Sequence, residues 1–159
     1  MTEKVISVDE LARVSEKMRT NCRKLVVTNG CFDLLHIGHV RYLQSARRLG
    51  DALAVAVNGD VSVRALKGEG RPLNREKDRA EILAALECVD HVAIFPELRA
   101  TGLLEQVRPA IYVKGGDYTA ETLDPEERAV LVRAGAEIKI LPLETGFSTS
   151  RLIEQMRCG

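Results

Sequence analysis

No hydrophobic run in this chain approaches the ~18 apolar residues that a membrane helix needs, which excludes a helical span. Neither charge is in excess, because 23 Lys and Arg balance 23 Asp and Glu. Bulk attraction to nucleic acid or anionic lipid is therefore excluded, and any anion site has to come from local geometry. Cysteine is sparse: Cys22, Cys31, Cys88 and Cys158 show neither CxxC nor zinc-type spacing. They read as free thiols in a reducing compartment. The first ten residues, MTEKVISVDE, are too acidic and too polar for a secretory signal, so a cytoplasmic location is expected. GxSxG and GxxxxGK(S/T) are both missing, which removes a nucleophile elbow and a P-loop. No repeat, low-complexity stretch or flexible linker divides the 159 residues. One domain is expected, with residues 1–22 as an N-terminal helix and connector and 23–159 as the functional core.

What the chain does have is concentrated between Thr28 and His39, reading TNGCFDLLHIGH. Leu25, Val26 and Val27 form a short β-branched run that stops at a Gly turn, the pattern of a buried strand. From Ile37 to Leu49, apolar residues at Val40, Leu43 and Ala46 recur at helical spacing and end at Gly50. His36 and His39 therefore sit where a strand feeds a helix N-terminus. Such an end offers unpaired N–H groups and a positive dipole, which suits an anion. Three His and twelve Gly in the chain make a chance His-x-Gly-His roughly a half-per-cent event by composition.

Elsewhere, strand and helix patterns alternate. Ser7-Val8-Asp9-Glu10 is a capping box for a helix running to Arg19. Strands are expected at Leu53–Val57, His91–Phe95, Ala110–Val113 and Glu137–Leu141, with His91 structural rather than catalytic. A short helix reaches Leu66, and Asn74 is expected to cap another over Arg75–Glu87. Further helices are expected from Arg99 to Val107, from the Asp124-Pro125 start to Ala134, and after Gly146, where Leu152, Ile153 and Met156 should pack back. Short apolar strands separated by helices predict a five-stranded parallel sheet, doubly wound and Rossmann-like, in the order 3-2-1-4-5.

In such a sheet, ligands bind beyond the carboxyl ends of the strands at the point where the order reverses. The special residues of this chain gather there. TNGCFD follows the first strand, Lys114-Gly115-Gly116-Asp117 the fourth, and Gly146-Phe147-Ser148-Thr149-Ser150-Arg151 the fifth. Gly30 and Gly38 let backbone approach an anion closely. His36 and His39, three apart, project to one side, and an imidazole can donate to a phosphoryl oxygen. Ser148 and Thr149 begin a helix, and Lys67, Arg71 and Arg151 are placed to clamp a polyphosphate. Cys31 is either a small buried hydrophobe or a neighbour of the ligand. The chemistry implied is in-line transfer at phosphorus by positioning and charge stabilisation.

These residues resemble the HxGH nucleotidyltransferases of the cytidylyltransferase-like branch, from about Leu25 to Ile153. TNGCFDLLHIGHVRYLQSARRLGD, VAVNGD, LKGEGRPLN, ALECVDHV, VKGGDY and GFSTSRLI are closest to the adenylyltransferase type that makes ADP-heptose for lipopolysaccharide core synthesis. The resemblance implies transfer of AMP from ATP, with Mg²⁺, to D-glycero-D-manno-heptose 1-phosphate. With no kinase portion in the chain, a stand-alone form is expected. It implies that His36 and His39 stabilise the α-phosphorus, that Lys67 assists the phosphates, and that Arg79 supports the same loop. Cys31, Phe32 and Gly38 would lie against the nucleotide, Gly116 and Asp117 near base and ribose, and Gly146, Phe147, Ser148, Thr149 and Arg151 on the base edge and outer phosphates. Asn29 and Asp33 would meet the sugar phosphate or a metal, with Arg71 and Lys114 on the same acceptor. No residue is assigned as a metal ligand. The partners implied are small molecules and a second copy in a homodimer, with no nucleic acid and no membrane.

Departures from relatives bear on the substrate. Leu143 and Ser150 stand where glycerol-3-phosphate cytidylyltransferases have the Arg and final Thr of RTEGISTT, and KGGD replaces their MGDD-like loop. Gly59 stands where the heptose type usually has Ser. Class I aminoacyl-tRNA synthetases share HIGH, but no KMSKS-like sequence is present. A cytidylyltransferase for a polyol phosphate, an FAD-synthase-like adenylyltransferase and a catalytically silent nucleotide-binding module stay open at this point.

Overall fold

The structure, a computed structural model, describes residues 2–116, 122–142 and 148–158. Among these residues the elements follow the expected alternation. They are α1 (Val8–Thr20), β1 (Leu25–Gly30), α2 (Ile37–Arg47), β2 (Ala52–Asn58), α3 (Asp60–Lys67), α4 (Glu76–Ala84), β3 (His91–Phe95), α5 (Thr101–Val107), β4 (Ile111–Gly115), α6 (Pro125–Ala134), β5 (Glu137–Leu141) and α7 (Thr149–Cys158). The five strands are parallel, in the order β3-β2-β1-β4-β5. No helix among the described residues is long and apolar enough to cross a membrane.

Side-chain alternation along the strands explains the two covering layers. In β2, Ala52, Ala54 and Ala56 join one core with Leu11, Leu104 and Leu131, from α1, α5 and α6. Leu53, Val55 and Val57 join the other core with Leu43 of α2 and Leu83 of α4. One face of β2 thus brings alanines to its core, and the other brings the larger Leu and Val side chains. The capping box of α1 forms as expected: the Glu10 N–H donates to Ser7 Oγ (3.1 Å) and the Ser7 N–H to Glu10 Oε2 (2.8 Å). Asp124 accepts from the Glu127 N–H at the start of α6 (3.1 Å), with Pro125 in the first turn.

Three local expectations change. First, β1 continues past Thr28 to Gly30, because its ladder to β2 still pairs Asn29 with Ala56 and Gly30 with Val57. Second, Asn74 does not cap α4. Its side-chain amide donates to the Asp33 carbonyl (2.9 Å), and Arg75 occupies the cap without a side-chain bond. Third, Met156 is 64 % exposed, while Leu152 and Ile153 are half-buried. Helix α7 therefore packs through its first turns rather than its last. His91 lies at the start of β3, the opposite end of the sheet from the special loops.

Candidate active site

A crevice of about 880 Å³ opens at the carboxyl ends of the strands, where the order turns from β1 to β4. The loop after β1 forms its floor. Phe32 sits at φ +47°, and a Cβ on Gly30 would come within 2.9 Å of the Phe32 ring. Glycine at that point lets the ring lie across the backbone and reach His39, with centroids 5.4 Å apart and edge to face. Asn29 accepts a hydrogen bond from the Tyr112 hydroxyl of β4, which orients its amide at the crevice.

The histidines act as a unit. His36 is the N-cap of α2, and its Nδ1 accepts from the Gly38 N–H (3.1 Å). His39 Nδ1 accepts from the His36 N–H (3.3 Å), and the two rings stack with centroids 3.9 Å apart. This arrangement corrects the simple picture of open helix-end N–H groups, because the imidazoles take up two of the donors themselves. It also settles chemistry that spacing leaves undefined. A ring nitrogen that accepts from a backbone N–H carries no proton, so the neutral ring carries it on Nε2. Burial lowers the pKa of His36, and burial together with the His36 charge lowers that of His39 to about 4. Both rings are neutral Nε2–H donors at pH 7.

The acidic and basic residues between β1 and α4 are knitted together. The buried Asp33 carboxylate accepts from Arg71 Nε (2.8 Å) and from the Leu73 and Asn74 N–H groups (2.9 and 3.0 Å). Asp33, expected to meet the sugar phosphate or a metal, lines the crevice with its carboxylate engaged by these three protein groups. Arg71 lines the crevice while held by that ion pair. Lys67, at the end of α3, lines the same wall. Gly59 also gains a reason: a Cβ there would come 3.0 Å from Glu76 Oε2, which accepts the Asp60 N–H (2.8 Å).

Burial would raise the Asp33 pKa, but the Asn74 and Leu73 N–H groups and the Arg71 guanidinium outweigh it and hold the pKa below the usual carboxylate range. A depressed folded-state pKa contributes stability above the unfolded value, and the contribution is lost as pH falls through the folded one. Asp33→Ala should therefore destabilise the protein at pH 7 by about 3 kcal/mol. That corresponds to roughly 6–12 °C in Tm. The gap to wild type should narrow below about pH 4. Thermal melts at stepped pH check this, and a constant gap would place the loss elsewhere.

The remaining expected residues fall into three groups. Cys31, Phe32, Gly38, Lys114, Ser148 and Thr149 line the crevice. Burial raises the Cys31 thiol pKa against the pull of Lys67, Arg79 and Arg71, so the side chain stays a protonated thiol. The hydroxyls of α7 have structural duties: Ser148 Oγ accepts the Arg151 N–H (3.0 Å), and Thr149 Oγ1 donates to the Leu34 carbonyl (2.8 Å). What α7 offers an anion is thus its helix N-terminus and the Ser148 O–H, whose proton the cap does not use. Gly116, at φ +78°, turns the chain out of β4 and donates to the Leu141 carbonyl (3.1 Å). Gly116 and the exposed Arg151 are outside the crevice lining, whereas Asp117, Gly146 and Phe147 lie outside the described residues.

Two residues support the site from behind: Tyr42, which the sequence does not single out, and Arg79, expected to support the Lys67 loop. Tyr42, one turn beyond His39 on α2, shares a hydrogen bond with buried Thr28 (2.8 Å) and donates to the Val113 carbonyl (3.3 Å), joining α2 to β1 and β4. Burial pushes its pKa up to about 12. Arg79 is 1 % exposed and bonds four separate segments around the crevice.

A 3-2-1-4-5 parallel sheet carrying a histidine pair on its switch-point loop defines a nucleotidyltransferase fold and site. The chain belongs to the cytidylyltransferase-like family, which it matches over residues 27–155. Among curated relatives, the Bifunctional protein HldE of Geotalea uraniireducens (strain Rf4) is 48 % identical over 156 residues, 98 % of this chain and 31 % of that protein. The Bifunctional protein HldE of Campylobacter fetus subsp. fetus (strain 82-40) is 46 % identical over 154 residues, 97 % of this chain and 31 % of that protein. The chain thus spans about a third of the length of these relatives. The crystal structure of the lipopolysaccharide core biosynthesis protein from Thermoplasma volcanium GSS1 is similar at a TM-score of 0.63 and 28 % identity, covering 77 % of this chain and 97 % of that one.

Proposed function

We propose that this chain transfers AMP from ATP to a sugar 1-phosphate, with D-glycero-D-manno-heptose 1-phosphate as the acceptor, giving ADP-heptose and pyrophosphate. The observation that carries the reading is the stacked His36–His39 pair, whose Nδ1 atoms are held by backbone N–H groups. That arrangement commits both Nε2–H groups to donation, which suits the charge that builds on non-bridging oxygens of the α-phosphate. A phosphate oxygen of the acceptor forms the new bond to the α-phosphorus. The bond to the bridging oxygen of the β-phosphate breaks, and its electron pair leaves with pyrophosphate. The acceptor is already an anion, so no general base is required. Lys67 supplies charge to the phosphates. The similarity to HldE proteins and to a lipopolysaccharide core biosynthesis protein supports the choice of nucleotide and sugar.

Mg²⁺ belongs to the same reading, neutralising triphosphate charge when bound. No three His, Cys, Asp or Glu side chains among the described residues converge to hold a metal by themselves. That donor set suits an ion carried largely by phosphate oxygens and water. A cytoplasmic location and a homodimer, testable by light scattering, complete the proposal. The deciding experiment is a pyrophosphate-release screen crossing ATP, CTP and GTP with heptose 1-phosphate, glycerol 3-phosphate and FMN. Turnover is expected with ATP and heptose 1-phosphate. Turnover with CTP and glycerol 3-phosphate instead would overturn the assignment.

A further inference from the structure

The crevice has a second charged wall that the transfer step does not use. The histidines rise from the α2 layer, whereas Arg99, Asp124 and Glu127 come from the α5–α6 layer, and Lys114 ends β4 beside them. Asp124 is ion-paired with Arg99 while one of its oxygens caps α6. Glu127 is 6 % exposed. Its Oε1 accepts the Ala100 N–H (3.2 Å), and its charge acts on Lys114, countering part of the pKa lowering that burial imposes on that ammonium. The second oxygen, Oε2, makes no hydrogen bond among the described residues, although Glu127 lines the crevice.

This wall combines two carboxylates with two cations. Phosphate would meet the carboxylates as like charges, and among the described lining the aromatic rings belong to the other wall. Hydroxyl groups fit instead, because each both donates and accepts. A carboxylate beside an ammonium satisfies both halves of one hydroxyl or two neighbouring ones. A nearly buried carboxylate oxygen also discriminates strongly, since an analogue lacking the hydroxyl leaves it unpaired.

We propose that Arg99, Lys114, Asp124 and Glu127 form the subsite for the polyhydroxylated part of the acceptor, with Glu127 accepting from one of its hydroxyls. This inference rests on the adenylyl-transfer reading and names the half of the crevice that selects the sugar. Attack from this wall would approach the α-phosphorus from the β4 side, while Lys67 stands on the β2 side with the departing phosphates.

Glu127→Gln tests the assignment, because the amide oxygen can still accept from Ala100 while an NH₂ replaces the second carboxylate oxygen. Calorimetry on the full chain, titrated separately with ATP and with heptose 1-phosphate, is paired with pyrophosphate release on heptose 1-phosphate and its monodeoxy analogues. The variant should bind heptose 1-phosphate at least about tenfold more weakly. ATP affinity should hold within about twofold. Preference for heptose 1-phosphate over one deoxy analogue should collapse. Arg99→Gln, at an exposed side chain, should weaken the acceptor in the same direction if Glu127→Gln fails to fold. Weakened ATP with unchanged acceptor would give this wall to the nucleotide and overturn the proposal. Unaltered acceptor binding in an active variant would overturn it while leaving adenylyl transfer standing. Acceptor binding that the variant loses, in a wild type that releases no pyrophosphate, would support the subsite and sink the transfer reading. A wild type that binds no sugar phosphate would overturn both.

Discussion

His39→Ala should cut turnover at least about a hundredfold, the loss typical when one donor to a developing oxyanion is removed. The structure gives the reason. His39 Nδ1 is engaged by the His36 N–H, so the proton on Nε2 is directed by the backbone rather than left to solvent. Removing the ring takes away that donor and also the stacking partner that fixes His36. Pyrophosphate release measures the effect, with a thermal melt to show that the variant is folded. Near-normal release in a folded variant would remove His39 from the mechanism.

The same geometry predicts the pH response. A histidine with its ordinary pKa would give an acid limb near 6.5. His39 is lowered to about 4 by burial and by its neighbour. The neutral form persists as the pH falls, and kcat/KM should stay flat from about pH 8 to 5.5 as far as this ring is concerned. Protonation at lower pH would break the bond from the His36 N–H, so activity should fail together with the local structure. An acid limb near 6.5 that disappears in His39→Ala would show that the ring keeps its ordinary pKa, whereas activity that rises as pH falls through 6.5 would make the imidazolium the working form.

How much of this was legible from residues alone differs by level. The sheet and its order followed from short apolar strands alternating with helices, because burial on both faces forces that composition. The HxGH pair was legible from its rarity and its position. The partners were not. Asp33 and Leu73 are forty residues apart, and only the fold shows that the carboxylate is engaged by that loop. Arg79 sits in REKDR, which by composition is a solvated charged stretch, yet it is among the most buried side chains in the molecule. Glu127 falls in the first turn of α6, and its place at the crevice depends on how the loop after β3 passes α6. Ser148 and Thr149 were legible as a helix start. Their hydroxyls then went to a cap and a tie, uses that a phosphate-binding motif does not announce.

Arg79 carries the second large prediction. Its Nη1 donates to the carbonyls of Cys31 (2.7 Å) and Asn58 (2.8 Å), its Nε to that of Asn74 (3.0 Å), and its Nη2 to the Asp60 carboxylate (2.9 Å). One guanidinium thereby joins the loop after β1, the end of β2, the start of α3 and the lead into α4. These segments carry the floor and the Lys67 wall of the crevice. Arg79→Ala strands three carbonyls and a carboxylate, which should cost about 3–5 kcal/mol, or roughly 6–20 °C in Tm. Arg79→Lys should recover little, since an ammonium is a point charge without the planar fork that reaches four acceptors at once. Below its melting point, Arg79→Lys should still lose at least about tenfold in kcat/KM, through displaced Lys67 and Cys31. Its ATP binding should weaken alongside, because the phosphate wall itself has moved. A lysine variant with wild-type melting and turnover would show that the charge alone suffices, and Arg79 would then have no positioning role.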